Sequence, residues 1–146
     1  MILTIMLAAA LAAAQPVDCS AWNLGGFRVG MTKEQVEKLR LGKWQNPISF
    51  VVEEGKTSIA AGIDAKGVMF SAYSIREPAE WDAIVAEMTA QYGEPKVTRP
   101  SASDPKLDAV RLATWSGTAC GVLMRLAEFD KKPRPFLALS LDRANE

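Results

Sequence analysis

The run Gly30-Met-Thr-Lys-Glu-Gln-Val36, continuing through Leu39 and Arg40 to Gly42, sets the tightest limit on the fold. Thr32 stands three residues before Gln35. Its hydroxyl can accept from the Gln35 amide while the Gln35 side chain returns to the Thr32 backbone, the reciprocal arrangement of a capping box. Met31 and Val36 flank that cap at the spacing of a hydrophobic staple, and Glu34 suits the positive end of a helix dipole. Val36 and Leu39 fall on one face, Glu37, Lys38 and Arg40 largely on the others, and Gly42 is placed to end the helix in the left-handed region. A helix of about 9 residues is marginal alone in water, so the remaining chain must give it a surface to lie on.

That surface reads as sheet. Asn46-Pro47 marks a turn, and residues 48–52 are β-branched and aromatic enough for a strand. Glu54-Gly55-Lys56 reverses the chain, 58–63 reads as a second strand, Asp64-Ala-Lys-Gly67 as a hairpin turn with Gly67 at positive φ, and 68–75 as a third. Pro78 then fits the first turn of a second helix, in which Trp81, Ile84, Val85, Met88 and Tyr92 recur at steps of three and four. Gly93 and Pro95 close that helix, which the spacing predicts to run for about 14 residues across the sheet. Residues 94–109 carry three prolines and mixed charge without periodicity, the pattern of a long mobile loop. Strands follow at 110–115, 121–129 and 136–141, the last alternating Leu137, Leu139 and Leu141 with Ala138 and Ser140. The predicted fold is α+β, with two helices packed on antiparallel β-meanders in the order α-β-β-β-α-β-β-β. Each half is a helix followed by a meander, which leaves room for a degenerate duplication.

With 146 residues the chain has material for one domain, predicted over 15–146. Seventeen basic residues balance seventeen acidic ones, so nothing favours nucleic acid or an anionic membrane surface. Residues 1–14 contain no charged side chain and end Ala12-Ala13-Ala14 before Gln15-Pro16, which predicts a cleaved secretory signal and a periplasmic or secreted protein. The run is too short to span a bilayer, so no transmembrane segment is expected in the mature chain. In an oxidising compartment the only two cysteines, Cys19 and Cys120, are predicted to form one disulfide. Lipidation of Cys19 competes, but Pro16-Val17-Asp18 is not the small-residue sequence that it needs.

The helix start Gly30-Met-Thr-Lys-Glu-Gln-Val36 with Leu39 and Gly42 resembles that of the BamE/SmpA outer-membrane-assembly lipoproteins and of β-lactamase-inhibitor-protein-like domains. The resemblance implies short helices against an antiparallel sheet, a place in the bacterial envelope and a protein partner. It supplies no catalytic residue. Trp44 stands where that pattern continues to proline, and the lipid-attachment sequence is absent.

The chemistry open to the side chains is narrow. The chain contains no histidine, which removes Ser-His-Asp and Cys-His nucleophiles and the commonest metal ligand together. No glycine pattern fits a phosphate-cradling loop. Glu53 and Glu54, adjacent in a strand, would face opposite ways. No catalytic, metal or cofactor-binding residue is therefore assigned, and no cofactor is expected. Lys131, Lys132 and Arg134 form the one local excess of charge, on a proline-stiffened turn, and are the candidate partner contact. These observations favour a non-enzymatic exported module that binds another envelope protein. A periplasmic binder of small molecules or cell-wall fragments, with Trp22, Trp44 or Trp115 lining a pocket, is the competing expectation, and a carboxylate-based hydrolase a third.

Overall fold

The computed structural model describes residues 18–99, 109–131 and 133–144. The predicted signal segment 1–14, most of the proline-rich connection and Lys132 lie outside the described residues. Within them, helix α1 spans Lys33–Leu39 and helix α2 spans Trp81–Tyr92, the latter entered through a 3-10 turn at Pro78–Glu80. The strands are β1 (Lys43–Asn46), β2 (Ser49–Glu54), β3 (Thr57–Ile63), β4 (Met69–Arg76), β5 (Lys96–Thr98), β6 (Ala109–Gly117), β7 (Val122–Phe129) and β8 (Phe136–Arg143).

The predicted fold, two helices resting on three-stranded meanders, is corrected in its main feature. All eight strands join one antiparallel sheet in the order β1-β2-β3-β4-β8-β7-β6-β5, and this sheet dominates the molecule, with two short helices on it. Each half is a helix followed by four strands, and the fourth strand of one half pairs with the fourth of the other. The two unpredicted strands are the sheet's edges. KWQN in β1 and KVT in β5 are short and mostly exposed, so they lack the apolar alternation that marks a strand in sequence; backbone pairing to a neighbour defines them.

The capping box at α1 is formed, with the Thr32 amide donating to Gln35 Oε1 at 2.9 Å and the Gln35 amide to Thr32 Oγ1 at 3.2 Å. The cap is also tied to the β3–β4 hairpin. Gly30 donates to the Met69 carbonyl, Met69 to that of Met31, and Lys33 to that of Gly67, at 2.9, 2.8 and 3.1 Å. The hairpin turn is itself closed by Asp64, whose carboxylate accepts from the Lys66 and Val68 amides and pairs with Arg143.

The predicted role of Gly42 is corrected as well. The helix ends at Leu39, Arg40 follows in an extended conformation at φ −147°, and Gly42 is absent from the positive-φ glycines. Gly42 is needed for closeness: a Cβ there would lie 2.5 Å from the Val51 carbonyl oxygen and 2.8 Å from the Phe50 ring.

Alternation along the strands sends Phe50, Val52, Ile59, Ala72, Leu126, Leu139 and Leu141 to one face, where they form a single core with Val36 of α1 and Trp81, Ile84 and Met88 of α2. The N-terminal segment closes that side. Trp22 stacks on Tyr92 at 4.1 Å, Tyr92 Oη donates to the Ala21 carbonyl, and Cys19 is joined to Cys120 with their Cα atoms 5.6 Å apart. Cys19 is therefore spent on the disulfide. No helix among the described residues is long and apolar enough to cross a membrane.

Candidate functional site

Because both helices and the N-terminal segment pack into one core on one face of the sheet, the opposite face is left to the alternate strand residues. The register lines them up in rows. One row crosses all eight strands as Lys43, Val51, Ala60, Tyr73, Ser140, Arg125, Thr114 and Lys96. A neighbouring row runs Ile75, Ala138, Ala127, Leu112 and Thr98, and another Gly62, Ser71, Asp142 and Leu123. The centre of the face is thus floored by small residues, while Phe70, Tyr73, Ile75 and Val110 stand out of it at 39, 48, 45 and 43% exposure. Lys43 and Lys96 sit at its two edges, the positions where a charge discourages strand-to-strand association.

Polar order on this face comes from one carboxylate. Asp142 accepts from the Ser71 hydroxyl at 2.7 Å, from the Ser140 hydroxyl at 2.8 Å and from Arg125 Nη2 at 2.9 Å. The guanidinium is held in place yet 43% exposed, so it presents fixed donors to anything laid on the sheet. Sequence reading missed Asp142, Arg125 and Tyr73. The alternation of 136–141 places Ser140 opposite the leucine face, but only the pairing of β4, β8 and β7 brings Ser71, Asp142 and Arg125 together.

The predicted contact residues lie on the β7–β8 connection. Lys131 Nζ lies 5.6 Å from the Phe129 ring centre, Lys132 is outside the described residues, and Arg134 pairs with Glu77 at 3.3 Å. Arg134 also helps to line a cavity of about 620 Å³ where the β2–β3 turn, the end of β4 and the β7–β8 connection meet. Of the three tryptophans considered for an aromatic pocket, Trp115 is 2% exposed and donates to the Gly93 carbonyl, and Trp22 is stacked on Tyr92. Trp44 packs on Phe50 and donates to Glu37 Oε1 at 2.7 Å. All three pack on the covered side, where Trp22 also lines a cavity of about 240 Å³ with Arg28, Met31 and Gln35. Glu53 and Glu54 diverge: Glu54 pairs with Arg40, while Glu53 lines a shallow cavity with Val51 and Lys43.

No known protein family matches this chain, nor does any curated protein or solved structure.

Proposed function

We propose that this protein is an exported, non-enzymatic binding module of the bacterial envelope that takes another protein on the open face of its sheet. The observation carrying this reading is the row through Tyr73, Ser140 and Arg125, where an exposed aromatic and a fixed guanidinium flank the small Ser140 on the strand between them. A large aromatic and an arginine at the middle of a broad surface are the side chains that most often dominate protein interfaces. The charge-free alanine-rich start, the Cys19–Cys120 disulfide and the helix-start resemblance support an envelope location, the periplasm being the compartment proposed.

Photo-crosslinking in cells tests the reading. A photoreactive phenylalanine at position 73 is expected to capture one dominant protein, and the same group at Asp82, on the exposed side of α2, is expected to capture none. Equal labelling from the two positions, or none from position 73, would refute it.

A further inference from the structure

Resting on that reading, we infer that one end of the open face takes an acidic side chain of the partner with an apolar residue beside it. The site is the cavity of about 620 Å³ at the end of the central strands. Three segments far apart in sequence build it. The β2–β3 turn brings Lys56, the end of β4 brings Ile75 and Arg76, and the β7–β8 connection brings Arg134 between Pro133 and Pro135, ahead of Phe136. Pairing of Ile75 with Ala138 and of Arg76 with Leu137 holds the last two segments side by side, and the stack of Phe136 on Phe129 at 5.1 Å fixes the base of the connection.

Charge and apolar surface are both unevenly disposed. Lys56, Arg76 and Arg134 face two carboxylates, Glu77 and Glu80, leaving one positive charge over. Glu80 is committed: Oε2 accepts from the Glu77 amide at 2.9 Å and Oε1 lies 3.7 Å from Arg76. The pair of Glu77 with Arg134 is weaker, since it joins side chains 62 and 76% exposed, a contact that water weakens and another carboxylate can replace. Lys56 makes no ion pair among the described residues. An incoming carboxylate therefore finds Lys56 available and Arg134 exchangeable, and Glu77 acts as its internal competitor. Ile75, Pro135 and Phe136 supply an apolar wall, and Ile75 and Phe136 are also part of the open face, so a segment lying over Tyr73 continues into the cavity.

The test is an NMR titration of the isotope-labelled, disulfide-bonded mature chain with the tripeptide acetyl-Leu-Glu-Leu-amide, its glutamine counterpart and inorganic phosphate at matched ionic strength. The glutamate peptide is expected to shift the amides of 56–58, 75–77, 79, 80, 134 and 136 saturably, and the glutamine peptide to bind about tenfold more weakly, the factor for losing charge-assisted hydrogen bonds. Arg134→Gln should weaken binding and Glu77→Gln should strengthen it, an opposition that loss of folding cannot produce. Equal binding of the two peptides, no gain from Glu77→Gln, shifts placed elsewhere, or phosphate moving the same amides as strongly would each overturn the inference. Should the titration fail while crosslinking from position 73 still captures one partner, this site is lost and the reading of the face stands.

Discussion

Asp142 carries more of the open face's polar order than any other side chain among the described residues. Its carboxylate accepts from Ser71, Ser140 and Arg125, on three different strands if its own is counted with that of Ser140. Asp142→Ala leaves a guanidinium and two hydroxyls without their acceptor, and the expected loss is about 1–3 kcal/mol in a denaturant titration. Asp142→Asn, which keeps an acceptor and the shape, should lose less. If the alanine variant unfolds within about 0.5 kcal/mol of the parent, the network does not stabilise the sheet. Asp64 makes a prediction in pH. The Val68 amide chiefly holds its carboxyl below the ordinary 3.8; partial desolvation opposes this, and the Lys66 amide and Arg143 reinforce it. A carboxyl whose folded value is depressed adds stability above its unfolded value, and that stability is lost as the pH falls through the folded one. Asp64→Asn should therefore flatten the fall in urea midpoint below about pH 4, and an unchanged slope would exclude Asp64 as its source. Gly42 shows the limit of reading single residues. A glycine after a helix is compatible with a left-handed cap and with close packing alike, and only the approach of Val51 and Phe50 decides between them.

Among elements, the two helices were legible because their signals are local: a cap and its partner three residues on, or a stripe at steps of three and four. Six strands were legible from β-branched or alternating residues, though their ends moved by one or two positions. The edges β1 and β5 were not, because a strand with one neighbour needs few apolar side chains. Nor was the β4–β8 pairing, since Ser71 and Asp142 are separated by 71 residues and nothing local announces their contact. The start of α1 gives the element-scale prediction. Thr32→Ala removes the Oγ1 acceptor of the Gln35 amide, at a cost of about 1 kcal/mol. Since Met31 and Lys33 on either side bond to the β3–β4 hairpin, the loss should spread, and hydrogen exchange should quicken at the Met69 amide as well as at Gln35. Faster exchange at Gln35 alone would show that cap and hairpin open independently.

For the whole molecule, the topology leaves the two halves joined by few devices. Strand β4 pairs with β8, the covered faces share one core, and Cys19, ahead of the first helix, is bonded to Cys120 between β6 and β7. The core and the β4–β8 ladder exist only when both halves are folded, whereas the disulfide also restrains the unfolded chain. Its 101-residue separation puts its entropic contribution at about 4–5 kcal/mol in the loop-closure account. The double variant Cys19→Ser, Cys120→Ser should therefore lose up to that amount in urea. The loss should concentrate where the N-terminal segment is strapped down, at the stack of Trp22 on Tyr92, while β4 and β8, held by backbone pairing along six residue pairs, keep their slow amide exchange relative to global unfolding. Tryptophan fluorescence and hydrogen exchange on the same samples separate these effects. A double variant as stable as the parent would mean that the segment ahead of α1 restrains little in the unfolded chain. One that lost protection first in β4 and β8 would mean that the disulfide, rather than the central strand pair, holds the halves of the open face together, and the row from Tyr73 to Arg125 would then depend on the redox state of the compartment.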